Sequence, residues 1–118
     1  MTAWPPYSRI LWDEKISMKK LLQINYKLSS SVNDFLSGAR AVADLIAGVE
    51  GLEWKIWLKN EELNEGGGIY LFESEAAMNR FINGPIVENL KSHPDISDVS
   101  AKVFDVPTDL SAITQGPI

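Results

Sequence analysis

The chain has no cysteine and one histidine, His93, in 118 residues. The first absence excludes disulfides, thiolate catalysis and Cys-ligated zinc or iron–sulfur sites. With neither an Asp-rich calcium loop nor a His-x-x-x-His pair, no metal site is expected. No Gly-x-Ser-x-Gly elbow is present, so a serine hydrolase has no support. Positive charge is scarce: Lys and Arg number 11 against 16 Asp and Glu, for a formal net charge of −5. Nucleic-acid affinity comes largely from neutralising phosphates, so no nucleic-acid partner is expected. No apolar run approaches the ~20 residues that a membrane span needs. The N-terminus lacks the basic-then-apolar pattern of a secretory signal. No membrane partner is therefore expected, and the cysteine-free composition fits the reducing cytoplasm.

What is present suits one domain, near the common domain size, with an ordinary apolar fraction of 45%. Residues 1–17 differ from the rest. Pro5-Pro6 blocks regular structure, and Ile10, Leu11 and Trp12 form a short apolar patch. They are expected to be an N-terminal extension. It is either translated from an upstream start, with Met18 as the native start, or an arm that docks through Trp4, Tyr7 and Trp12. The domain proper then spans 18–118, with a C-terminal tail from 107.

Residues 21–28 alternate, with Leu22, Ile24, Tyr26 and Leu28 on one side and Gln23, Asn25 and Lys27 on the other, which predicts a strand. Ser31 and Asp34 have capping-box spacing. The apolar positions Val32, Phe35, Leu36, Ala39, Val42, Ala43 and Ile46 then predict a helix to about Ala47. Gly48 and Gly51 are expected to end it in the left-handed conformation that glycine accepts. A second strand, 52–58, places Trp54, Ile56 and Leu58 on one face and Lys55 and Trp57 on the other. A charged connection, 59–65, leads to Gly66-Gly67-Gly68, which lacks the Gly-Lys-Ser/Thr ending of a phosphate loop and precedes a strand, so a hairpin turn or bulge is expected. The third strand is 67–72. Ser74 should cap a helix carrying Ala77, Met78, Phe81 and Ile82, and Pro85 should open another short helix to Ser92. The fourth strand is 99–106, and 107–118 shows little regular pattern.

The order β-α-β-β-α-β is the ferredoxin-like plan, α+β, with helices on one face of a four-stranded antiparallel sheet. Several strands are apolar on both faces, and helices can cover only one. The other face is expected to pair with a second copy of the chain, giving a homodimer.

Chemistry-bearing residues are few. Glu61, Glu62 and Glu65 lie in a polar connection and are expected to be solvated. His93, before Pro94 at a helix end, suits a structural role in which its imidazole complements the helix's last carbonyls. Trp54, Trp57, Tyr70, Phe72 and Phe104 lie on three strands that the topology can bring together. Aromatic residues in strands are usually core. The other reading is a flat apolar slot for an aromatic ligand, with Gln23, Asn25, Lys55 and Lys102 as its polar groups.

Trp54-Lys55-Ile56-Trp57, Gly67-Gly68-Ile69-Tyr70-Leu71-Phe72 and Ala101-Lys102-Val103-Phe104-Asp105-Val106, with Leu21-Leu22-Gln23 before them, resemble the YdhR mono-oxygenase family from about Met18 to Ile113. The resemblance implies a dimeric α+β barrel similar to the antibiotic-biosynthesis mono-oxygenases. It also implies a mono-oxygenase needing no cofactor, acting on a small aromatic or quinol-like compound that supplies its own electrons. The family gives no residue-level mechanism. By residue type, Tyr70, Lys55 and Asn25 are the candidates for proton transfer and for holding an anion. Trp54, Trp57, Phe72, Phe104, Lys102 and Gln23 are the candidates for binding substrate. The alternative is a non-catalytic binding protein for a hydrophobic metabolite.

Overall fold

The computed structural model describes residues 18–118; the extension at 1–17 lies outside the described residues. The elements are β1 (Lys20–Leu28), α1 (Val32–Ala47), β2 (Leu52–Asn60), β3 (Glu65–Phe72), α2 (Glu75–Ile82), α3 (Pro85–Ser92), β4 (Ile96–Asp105) and α4 (Thr108–Ile113). The strands form one antiparallel sheet in the order β2-β3-β1-β4. This is the expected ferredoxin-like α+β fold.

Local chemistry accounts for most element boundaries. The Ser31 side chain accepts from the Asp34 amide at the start of α1, and Ser74 accepts from Ala77 at the start of α2. Pro85 opens α3, where its missing N–H costs nothing. Alternation along β1 sends Leu22, Ile24, Tyr26 and Leu28 into the core beneath the helices. They meet Tyr70 and Phe72 of β3, Val32 and Ile46 of α1, and Met78 and Phe81 of α2. Lys20, also buried, is paired with Asp105 across β1 and β4.

Four expectations are corrected. Gly66, Gly67 and Gly68 are not a turn: they lie inside β3, paired with β1 and β2 on either side. The turn is Glu61–Asn64, where Asn64 takes φ of 54° and its amide donates to the carbonyls of Leu28 and Ser30 at 2.7 Å each. Gly48 ends α1 at φ −88°; only Gly51, at φ 82°, uses the left-handed region. β4 begins at Ile96 rather than 99, and its register against β1 shifts between Asn25 and Lys27 near Asp98, whose φ is 52°. The tail contains α4, one short turn of helix whose Leu110 and Ile113 stay exposed, so it carries no buried apolar face that a periodicity could reveal.

Candidate functional site

Register divides the aromatic cluster between the two sides of the sheet. Lys55 pairs with Tyr70, Tyr70 with Leu22 and Trp57 with Gly68, all on the side that faces the helices. Trp54 pairs with Leu71, Phe104 with Leu21, and Gln23 with both Ile69 and Lys102, all on the opposite side. Asn25, beside Gly67 and Ser100, is there too, and exposed. The expectation that these residues share one slot is therefore corrected: Tyr70, Lys55, Trp57 and Phe72 share the helix side, whereas Asn25, Gln23, Trp54, Lys102 and Phe104 do not. Phe72 itself is fully buried core, its ring 6.3 Å from that of Tyr70 and 5.4 Å from that of Phe81. Trp54 is engaged elsewhere, donating from Nε1 to the Pro117 carbonyl at 2.6 Å.

A cavity of about 480 Å³ lies between the sheet and helices α1 and α3. Tyr26, Trp57 and Tyr70 form its sheet wall, Phe35 and Val42 line it from α1, and Ile86 and Leu90 from α3. The glycines shape this wall. A Cβ on Gly68 would stand 2.6 Å from Lys55 Cε, and one on Gly66 would stand 2.9 Å from the Tyr26 ring. Glycine at these two places leaves the space that the lysine stem and the tyrosine ring occupy. Polar groups are few, as in most ligand sites: Ser30, Asp34, Lys55, Asn89, His93 and Asp95. Ser30 Oγ is buried without a hydrogen-bond partner among the described residues.

Lys55 Nζ sits 3.3 Å from the Trp57 ring centroid and 4.6 Å from that of Tyr70, held between two π faces. Burial lowers its pKa to about 8. The ring faces attract the charged form and so pull the other way. Burial pushes the Tyr26 phenol up to about 12 and Tyr70 further up, with Tyr26 adding to the rise. Both phenols are hydrogen-bond donors at neutral pH, not bases. His93 accepts a hydrogen bond at Nδ1 from the Asp95 amide at 3.1 Å. It thus receives a backbone N–H from beyond the helix, where the expectation was that its imidazole complements the helix's last carbonyls. It also meets Phe35 edge-on at 5.7 Å. Sequence patterning missed Ser30 and His93 in the cavity lining, and Gly66 and Gly68 behind the Tyr26 ring and the Lys55 stem. The glycines carried the one available signal, a glycine run inside an aromatic strand.

The family model described as "Putative mono-oxygenase ydhR" matches residues 21–117. The chain belongs to the YdhR family. No curated protein sequence matches it. Among solved structures, SnoaB, a cofactor-independent oxygenase from Streptomyces nogalater, superposes with a TM-score of 0.62 at 14% identity, covering 75% of this chain and 93% of that one. SO0527 from Shewanella oneidensis gives 0.63 at 5% identity, covering 76% and 92%. MhuD, a heme-degrader from Mycobacterium tuberculosis solved with two hemes in its active site, gives 0.56 at 18%, covering 74% and 95%. At these identities the YdhR-family chain shares their fold, and chemistry has to be argued from its own residues. Among the described residues of this YdhR-family domain, no three His, Asp or Glu side chains group as a metal site, and no helix is long and apolar enough to cross a membrane.

Proposed function

We propose that the cavity binds a small hydroxylated aromatic compound and that the chain oxidises it with molecular oxygen, without an added cofactor. The observation that carries this reading is Lys55 Nζ between the Trp57 and Tyr70 rings on the cavity wall. With its pKa lowered to about 8, an appreciable fraction of this lysine is free amine near neutral pH. The amine takes the phenolic proton of the substrate and becomes an ammonium beside the phenolate that it has made. Proton transfer of this kind typically contributes about 10²–10⁴-fold, and a fixed charge next to the anion adds roughly 3–4 kcal/mol. The electron-rich ring then reduces oxygen. A hydroquinone and O₂ give a hydroxyquinone and water, and the ring supplies all four electrons. Tyr70, protonated, is placed to donate a hydrogen bond; Asn25 and Lys102, on the far side of the sheet, are left out of this chemistry.

Oxygen uptake with a panel of dihydroxyarenes tests the reading. Uptake above the protein-free rate, lowered about 10²-fold in Lys55→Met, is expected. Thermal stabilisation by the same compounds with no uptake would establish the binding-protein alternative; a ligand at a hundredfold excess over Kd adds about 2.7 kcal/mol.

The proposal includes a homodimer. The side of the sheet away from the helices presents Ile56 and Phe104, 49% and 46% exposed, with Leu21, Leu58 and Ile69 partly exposed beside them. A second copy covering this surface would remove it from water.

A further inference from the structure

We propose that Lys55 also captures aromatic aldehydes and ketones covalently, as an imine formed at Nζ inside the cavity. This uses the same cavity as the oxidation but does not depend on oxygen chemistry. Among the described residues, Lys19, Lys20, Lys27, Lys59 and Arg80 each stand within ion-pair distance of a carboxylate. Lys55, like the exposed Arg40, Lys91 and Lys102, has no carboxylate at that distance among the described residues, and of these four it is the one partly buried. Its neighbours are the faces of Trp57 and Tyr70. The titratable groups that share the cavity are Tyr26 and Tyr70 from the sheet, Asp34 from α1, and His93 and Asp95 after α3. The tyrosines are held neutral by burial. An amine placed this way has no carboxylate within ion-pair distance among the described residues, and flat apolar walls beside it to seat an aryl ring. Gly68 keeps the position open, because a side chain there would displace the lysine stem.

The step balances without an oxidant or reductant. The nitrogen lone pair adds to the carbonyl carbon, and the C=O π pair moves to oxygen, which takes up a proton. The nitrogen loses one proton to give a neutral carbinolamine. Its hydroxyl takes up a second proton and leaves as water as the nitrogen lone pair forms the C=N bond. The iminium then gives up its remaining N–H proton, so both amine protons end in the water released. One water leaves per imine, and hydrolysis reverses it. Burial supports the reaction by raising the amine fraction. With a pKa of about 8, roughly a quarter of Lys55 is free amine at pH 7.5, against about a thousandth of an ordinary lysine.

The test is reductive trapping of the full chain at pH 7.5 with 4-hydroxybenzaldehyde and cyanoborohydride, read by intact mass and peptide mapping. The expected product gains the mass of one aldehyde less one oxygen atom, on the peptide that holds Lys55, at least tenfold faster than any other lysine. The N-terminal amine has an ordinary pKa near 8 and is the natural competitor. Propanal should label it about as readily as the aryl aldehyde does, whereas Lys55 should prefer the aryl aldehyde by tenfold or more. Lys55→Arg, which keeps the charge and cannot form an imine, should lose the cavity adduct while retaining the wild-type circular dichroism spectrum. Labelling of Lys55 no faster than the other lysines, or without aryl preference, overturns the proposal. Adduct formation without oxygen uptake upholds it and counts against the oxidation reading; uptake without adduct does the reverse.

Discussion

Gly68 lies directly beneath Lys55: a methyl group at residue 68 would sit 2.6 Å from the lysine Cε and 3.4 Å from Nζ. The nearest obstructing atom belongs to the far end of a flexible side chain, which can swing away; the buried Tyr70 ring, 3.2 Å from the same methyl, need give by only a few tenths of an ångström. Gly68→Ala should therefore fold with stability within about 1 kcal/mol of wild type but lose most of the Lys55-dependent oxygen uptake. Gly67 differs. A methyl there would stand 2.3 Å from the backbone carbonyl of Ile24, which cannot move without shifting β1. Gly67→Ala should cost about 1–3 kcal/mol or more, measured as a lowered urea midpoint. Equal behaviour of the two variants would show that the lysine is not positioned by this glycine.

The buried amine also sets a pH dependence of stability. Lys55 releases its proton near pH 8 in the fold and near its ordinary value, about 10.4, in the unfolded chain. Between these values the unfolded chain binds more protons, so this lysine makes stability rise with pH across that window. Tyr26 and Tyr70, raised by burial, act oppositely: above about pH 10 the unfolded chain loses phenolic protons first, and stability falls. Urea midpoints should climb from pH 8 toward 9.5 in the wild type. Lys55→Met should remove that component of the slope; an unchanged slope would place the amine in water.

The parts of this molecule that were legible in the sequence are those fixed by near neighbours. Leu22, Ile24 and Tyr26 alternate at period two, so β1 and its inner face follow from the chain alone. Ser31, Ser74 and Pro85 mark helix starts by contacts no more than three residues away. The opposite facing of Trp54 and Trp57 also follows from alternation within β2. What could not be read is how the faces of different strands align. Phe104 lies with Trp54 on the outer side because β4 pairs it with Leu21 after a register shift near Asp98. The three glycines look like a turn until the cross-strand neighbours, the Tyr26 ring and the Lys55 stem, are in place. Of the candidate site, Lys55, Trp57 and Tyr70 line the cavity, Phe72 is buried core on the same side, and Asn25, Gln23, Trp54, Lys102 and Phe104 are separated from them by register.

The outer surface of the sheet carries the proposed subunit contact. Ile56 and Phe104 stand on β2 and β4, the two edge strands, and both are nearly half exposed. A charge at either would be desolvated in a dimer and harmless in a monomer. Phe104→Asp and Ile56→Asp should each shift sedimentation toward the mass of one chain at micromolar concentration, with far-UV circular dichroism unchanged. A wild-type chain that already sediments as a monomer would end the dimer proposal. Asn25→Ala, on the same face, should leave the affinity of the cavity for ligand within about twofold of wild type.

Trp54 and Trp57, three residues apart in β2, separate the two sides of the sheet spectroscopically. Trp57 lines the cavity with Lys55 above its ring, whereas Trp54 faces away and holds the Pro117 carbonyl. An aromatic ligand seated in the cavity should quench Trp57 fluorescence by direct contact. Trp57→Phe should abolish most of that quenching and weaken binding several-fold, because the ring that supports both ligand and lysine is smaller. Trp54→Phe should keep the quenching and the affinity but lose the hydrogen bond to the tail, worth about 1 kcal/mol. It should also speed amide exchange in residues 114–118. Quenching that depends on Trp54 rather than Trp57 would move the binding site to the opposite face of the sheet, and with it the case for Lys55.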